Sequence, residues 1–267
     1  MRYQHKAIGH FGSSVRRVIL AAILSLAGLT AAPAAEDPAK ACEAPVAGAD
    51  LRKCSFQGRK LAKIDLHGAV LAGVDLSNAT LTDCDLTGAD LRGANLKWAN
   101  LSGCRMRRAD LSGADLFHTR LDYADMSDAN LHKAFMFGTD LNYARLDNAD
   151  LSGANMKDVL MEETRFRRAN LSGVYMLRGV IIGSDFRWAT LRNADLTGAS
   201  AEESNFSGAD LSGSKLTGTR LISTRFVGAR LDGVDVRNAI FKDTDFRGAV
   251  HLPEEVEKRL GERWRAN

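Results

Sequence analysis

Asn148–Met156 reads NADLSGANM, and the same phrase returns as ADLSGADL at Ala109–Leu116 and SGADLSGSKL at Ser207–Leu216. Working outward in steps of five, a large apolar residue recurs from Leu51, Phe56, Leu61 and Leu66 to Phe246. Of about forty such positions only Ala201 departs from the rule, and self-similarity on this scale outranks any local propensity. Two residues before each large residue stands a small one, usually Ala, as at Ala89, Ala94 and Ala99. Asp or Asn commonly lies between the two, and Gly or Asn often follows two residues after.

A period of five fits neither the 3.6 of a helix nor the strict alternation of a long strand. Within one unit, however, the small and the large residue are two apart, so both can point inward while Asp or Asn points out. The next two residues must turn the chain, and Gly or Asn accepts the backbone angles a turn demands. Repetition then gives a coil that stacks on itself and pairs its backbone with the coils above and below. Pro33, Pro38, Pro45 and Pro253 are the only prolines, and all lie outside the repeat, where each would delete a ladder bond. The expected architecture is a solenoid.

The A-(D/N)-L-x-x pattern resembles the pentapeptide repeat family. That resemblance implies an all-β fold, a right-handed quadrilateral parallel β-helix with four pentapeptides per coil. It covers residues 49–250, about ten coils and roughly 50 Å at the usual inter-strand spacing. Arg59, Ile64 and Gly179 at small positions, and Ala201 at a large one, predict looser coils.

Residues 1–34 read as an export signal: a basic segment ending at Arg16-Arg17, an apolar run over Val18–Leu29, and a small-x-small site at Ala32-Pro33-Ala34. The apolar run is short for a membrane span, so none is expected in the mature chain. Export through the general or the twin-arginine route stays open, and the expected location is periplasmic or secreted. Four of the 36 basic residues (Arg2, Lys6, Arg16, Arg17) lie in this segment, which has no acid. Removing them leaves 32 basic against 33 acidic residues, so general attraction to nucleic acid or to an anionic membrane is not expected. The apolar share of 45% and charged share of 26% are ordinary for a soluble protein.

Residues 35–48 read as a linker. Cys54, Cys84 and Cys104 occupy small inward positions, where a thiol is a compact filler. With four repeats per coil, as the resemblance implies, Cys84 and Cys104 stack about 4.8 Å apart, within reach of a disulfide. Free thiols, a Cys84–Cys104 bridge and a Cys42–Cys54 link across the N-terminal mouth are the alternatives.

The same coil length sorts the surface into four walls. One, centred on Leu66, Leu86, Met106 and on to Phe246, carries Arg105, Arg107, Arg108, Arg145, Arg165, Arg167, Arg168, Arg187, Arg225 and Arg247, with Trp188 at a corner. Asp85, Asp125, Asp147 and Asp185 dilute it, so it reads either as a salt-bridged solvated wall or as a docking strip for an acidic partner, envelope glycan or lipid headgroup. The wall centred on Leu116, Met136, Met156 and Met176 turns Phe117, Phe135, Phe137, Tyr175 and Leu177 outward. Leu160, Val180, Ile182, Ile222 and Ile240 do so on the next. Columns of this kind can form a contiguous interface.

Residues 251–267 change period. Pro253, then Glu254 and Glu255, then Lys258 and Arg259 mark a short helix that caps the last coil, with Leu252, Val256, Leu260 and Trp264 on one face. In some members of the family such a helix joins two protomers, so a homodimer is a further expectation. The histidines are scattered and the aspartates belong to the repeat, so no catalytic, metal or cofactor site is expected. The leading expectation is an exported, non-enzymatic scaffold for protein or envelope partners. The alternative that the resemblance offers is a cytoplasmic DNA mimic acting on gyrase.

Overall fold

The structure, a computed structural model, describes residues 38–260. The expected export signal, Gly261 and Trp264 therefore lie outside the described residues. From Asp50 to Val250, every fifth residue forms a parallel bridge with the residue twenty further on, beginning with Asp50↔Val70 and ending with Arg230↔Val250. Five-residue units bridged at a separation of twenty put four units in each coil, hence four walls and four corners. The bridges are single residues; among the described residues none extends into a continuous strand. The expected short strands are thus contracted to one bridged residue each, because two of every five residues are spent turning.

One repeat shows how the consensus is read. Ala109 N–H closes the turn on Met106 C=O at 3.1 Å. Asp110 N–H reaches back one coil to Ala89 C=O at 2.9 Å, and Leu111 N–H reaches forward to Asn130 C=O at 2.7 Å. Gly113 N–H bonds His132 C=O at 2.9 Å. The fifth donor, Ser112 N–H, has no ladder partner and is taken by the Asp110 carboxylate at 2.9 Å. Ser77, Thr87, Ser152 and Ser212 repeat the arrangement with Asp75, Asp85, Asp150 and Asp210. Asp or Asn recurs because its side chain accepts the one amide per repeat that the stack leaves over, and an unmet buried donor is costly.

The inward residues fill the coil. Ala109 and Leu111 are fully buried, as are nearly all their equivalents. Burial of each Leu side chain contributes roughly 2 kcal/mol. From Phe166 to Phe246, five phenylalanines stack in one interior column, with ring centroids 4.8 to 5.2 Å apart and nearly parallel planes. That distance is the coil spacing itself, close to the ordinary separation of paired strands. Where a hydroxyl takes the small position it donates to the large residue's carbonyl on the preceding coil, as Thr119 does to Leu96 at 2.7 Å and Thr164 to Leu141 at 2.7 Å.

The expected looseness at the irregular repeats is not found. Thr80, Asp85, Ser200 and Ala201 keep ladder bonds at 2.8 to 2.9 Å beside or at Arg59, Ile64, Gly179 and Ala201. At Gly179 the missing side chain leaves no gap, because a β-carbon there would stand 3.1 Å from Met176 and 3.2 Å from Val159. Arg59 turns its guanidinium out to the carbonyls of Cys42 and Glu43 at 2.5 and 3.1 Å.

Those carbonyls belong to α1 (Pro38–Glu43), so the stretch expected as a linker begins a cap instead. A disulfide joins Cys42 to Cys54 on the first coil, with their α-carbons 5.3 Å apart. Cys84 and Cys104 form a second disulfide between neighbouring coils, with α-carbons 4.6 Å apart. No cysteine is free, so the free-thiol alternative is not the state of this structure. At the other end, α2 (Glu254–Leu260) starts after Pro253. Val256 is buried, and Arg259 bonds Ala239 C=O at 3.1 Å while lying over the Phe241 ring. Among the described residues no helix is long and apolar enough to cross a membrane.

Candidate interaction surfaces

The structure gathers the sequence-predicted aromatic residues only in part. Phe117 stacks with Phe137 at 5.5 Å and with Phe135 at 6.2 Å. Tyr175 occupies the same bridged column as Phe135, but Asn155 stands between them, and neither Tyr175 nor the half-buried Leu177 makes a ring contact with the cluster. Two residues that sequence reasoning passed over complete it. Trp98 and His118 sit on the adjoining corner, stacked at 4.4 Å, and the imidazole meets Phe117 edge-on at 4.4 Å. Trp98 also packs edge-on against Phe117 at 5.5 Å. Lys157 closes the far side, its ammonium 5.7 Å above the Phe137 ring.

The corner explains why these side chains are outside. The third residue of nearly every turn has positive φ, +60° at Trp98 and +50° at His118. Bulky residues are uncommon there. Here the turn bond and the two neighbouring ladder bonds hold the backbone, and the side chain points away from the coil. Trp98 and Trp188 are each 55% exposed for this reason, and Tyr123 and Tyr143 stack at 5.0 Å on another corner. The available signal was an aromatic residue where the repeat otherwise places Gly or Asn.

On the neighbouring wall Leu160 and Val180 are adjacent, but Ser200 and Arg220 separate them from Ile240. That column is therefore discontinuous, and Val180, Ile182 and Ile222 are only half-exposed.

The arginine wall lies two walls from the aromatic one and so faces the opposite way. Arg105 pairs with Asp85 at 3.1 Å and Arg107 with Asp128 at 3.6 Å. Arg165 reaches Asp147 at 2.6 Å, while Arg167 and Arg187 converge on Asp185 at 2.6 and 2.7 Å. Burial pushes the Asp185 carboxyl up, but the two guanidiniums and the Arg187 amide outweigh it and hold the group at about 2. Arg168 and Arg187 both lie over the Trp188 ring, at 5.8 and 5.7 Å. Arg108, Arg145 and Arg168 form no ion pair among the described residues. Among those residues no group of three His, Cys, Asp or Glu side chains is arranged to hold a metal ion.

A family model described as pentapeptide repeats, in 8 copies, matches residues 49–88, 71–108, 109–142, 139–176, 184–221 and 214–250. Among solved structures the chain is similar to HetL, a pentapeptide repeat protein involved in heterocyst differentiation regulation from the cyanobacterium Nostoc sp. strain PCC 7120. That similarity is 32% identity over 74% of this chain and 91% of HetL, with a TM-score of 0.57. A pentapeptide repeat protein from the Arabidopsis thaliana thylakoid lumen is 28% identical over 52% of this chain and 72% of its own, with a TM-score of 0.22. Full-length QnrB1, a plasmid-mediated fluoroquinolone resistance protein, is 19% identical over 71% of this chain and 92% of its own, with a TM-score of 0.27. No curated protein sequence matches the chain.

Proposed function

As the chain belongs to the pentapeptide repeat family, we propose that it is an exported, non-enzymatic scaffold that docks a protein partner on its aromatic wall. The hand and cross-section that we assign, a right-handed quadrilateral β-helix, follow from that membership and agree with the four units per coil.

The observation that carries the reading is the surface cluster of Trp98, Phe117, His118, Phe135 and Phe137, with Trp98 and Phe135 exposed and the other three half-buried, on a wall whose backbone is ladder-bonded throughout. The rings stack along the axis, so they turn edges rather than faces to solvent. An apolar stripe of ring edges suits packing against another protein's side chains, and aromatic anchors on a rigid frame lose little entropy on binding. Export is supported by the signal-like segment and by two disulfides, which persist in oxidising compartments.

The DNA-mimic alternative asks for a wall of uncompensated carboxylates. The wall that carries Asp83, Asp122, Asp140, Glu162, Glu163, Glu202, Glu203 and Asp243 also carries Lys60, Lys63, Arg120, Arg220 and Lys242. Arg120 stands 3.5 Å from Asp122 and Arg220 2.6 Å from Glu202, so the wall is mixed in charge and suits that role less than a uniformly acidic face.

Phe135→Asp combined with Phe137→Asp tests the docking face. The double variant is expected to lose partners recovered from envelope fractions while its circular dichroism is unchanged; retention of the same partners sinks the proposal. Intact mass of the chain from the native host tests export, with a form starting near Ala35 expected.

A further inference from the structure

We propose that the arginine wall between residues 145 and 188 is a docking face for a phosphate-bearing lipid surface. Five guanidiniums project from three consecutive coils: Arg145 from the first, Arg165, Arg167 and Arg168 from the second, Arg187 from the third. Asp147 and Asp185 are the carboxylates on the same wall of those coils, so five positive charges against two leave this part of the wall at +3, bordered by Asp125, which is bridged to Arg145. The chain beyond residue 34 is near −1 as a whole, with 32 basic against 33 acidic residues. The charge is therefore local, and the opposite wall does not share it.

The internal pairing does not cancel it. Asp185 is shared by Arg167 and Arg187, and Asp147 accepts both the Arg165 guanidinium and the Arg167 amide. Exposed Arg145 and Arg168 remain without a carboxylate among the described residues. Guanidinium presents paired N–H groups that match phosphate oxygens, and it sheds water more readily than ammonium.

Shape selects the kind of anion. Arg145, Arg165 and Asp185 are bridged in register, so the charges rise from a flat ladder rather than line a groove. A flat basic face meets a flat anionic surface along its whole area, whereas an extended acidic peptide is best gripped by a groove. At the edge of the face stands Trp188, exposed and held beneath Arg168 and Arg187. Its indole lies across the Gly208 corner, where a β-carbon would be 2.6 Å from Cδ1. An amphipathic ring beside guanidiniums is the composition found at lipid headgroup level. Docked this way, the scaffold turns its aromatic wall away from the lipid.

The test is co-sedimentation of the full chain with phosphatidylcholine vesicles, with and without phosphatidylglycerol. The expected result is binding to the anionic vesicles that weakens as salt rises. Arg145→Glu with Arg168→Glu is expected to weaken it at least about tenfold, and Arg145→Lys with Arg168→Lys to leave it within about twofold. The N-terminal segment is common to all three proteins, so their difference reports the wall. Phe135→Asp with Phe137→Asp should bind vesicles as the unaltered chain does, which separates this inference from the protein-docking reading. Equal binding by the charge-reversed variant, or equal binding to neutral vesicles, overturns it. So does full release by inorganic phosphate at matched ionic strength, which would mean a discrete phosphate site. Capture by polyglutamate without vesicle binding would overturn it in favour of an acidic protein.

Discussion

The imidazole of His118 lies over Gly138 one coil further on, so close that a β-carbon on residue 138 would stand 2.6 Å from its Cε1. The aromatic corner of Trp98 and His118 thus ends on a glycine that gives it room. Gly138 also has φ of +62°, where a side chain is strained. Gly138→Ala is expected to cost about 1 kcal/mol in urea unfolding from the backbone alone. It should also displace His118 from Trp98, with a change in tryptophan emission absent from Gly153→Ala, where the nearest atom is the Lys133 side chain at 3.4 Å.

The phenylalanine column should be the most sensitive part of the core. Phe206 is fully buried between Phe186 and Phe226, at 4.8 and 5.1 Å. Phe206→Ala is expected to destabilise by about 3–5 kcal/mol and Phe206→Leu by about 1.5 kcal/mol or less, measured by urea unfolding.

The consensus carboxylate acts as an acceptor before it acts as a charge. Asp150 takes Ser152 N–H at 2.9 Å and the Asn170 side chain at 3.0 Å. Asp150→Ala should cost about 1 kcal/mol, while Asp150→Asn, which still accepts through its carbonyl, should cost a few tenths. Equal losses in the two variants would show that charge, not acceptance, is what the repeat requires.

Acid should loosen the coils through the same groups. Asp185 is held at about 2, below its ordinary 3.8, and Arg52 holds Asp50 at about 2. Arg237 pushes Asp235 lower still. A carboxyl depressed by folding stabilises fully above its unfolded value and stops doing so as pH falls through its folded one. The melting temperature is therefore expected to fall from about pH 4 toward pH 2. Asp185→Asn should shrink the acid-dependent part of that fall, and an unchanged profile would remove Asp185 from the account.

The Cys42–Cys54 bridge should act locally. Cys42→Ser is expected to raise amide exchange in α1 and the first coil by about 2 kcal/mol of lost protection. The coils around Phe186 should be unaffected, because a stacked repeat contacts only its neighbours. Uniform loss along the chain would mean that the solenoid unfolds as one unit.

Legibility followed the period. Leu at every fifth position and a small residue two before it dictated a stacked coil, because five residues can carry two inward side chains and one turn and little else. Asp was read as outward-facing; that its carboxylate serves the amide two residues on became visible only when the amide's lack of a ladder partner was seen at Ser112. The aromatic wall was read from Phe117, Phe135 and Phe137, but its centre was not. Trp98 and His118 stand where the repeat otherwise places Gly or Asn, and the period alone assigns a corner side chain no neighbour.

The sequence by itself determined the solenoid, its span and which residues point inward, because a strict repeat fixes each residue's place within its unit; the sorting into walls rests on the four units per coil that the bridges show. Only the tertiary structure decided which neighbours meet: that Trp98 finds His118 and Phe117, that Arg167 and Arg187 share Asp185, and that a helix, not a linker, closes the first coil. Those outcomes depend on side-chain directions across the coil spacing, and residues twenty apart in the chain become neighbours only when the stack has formed.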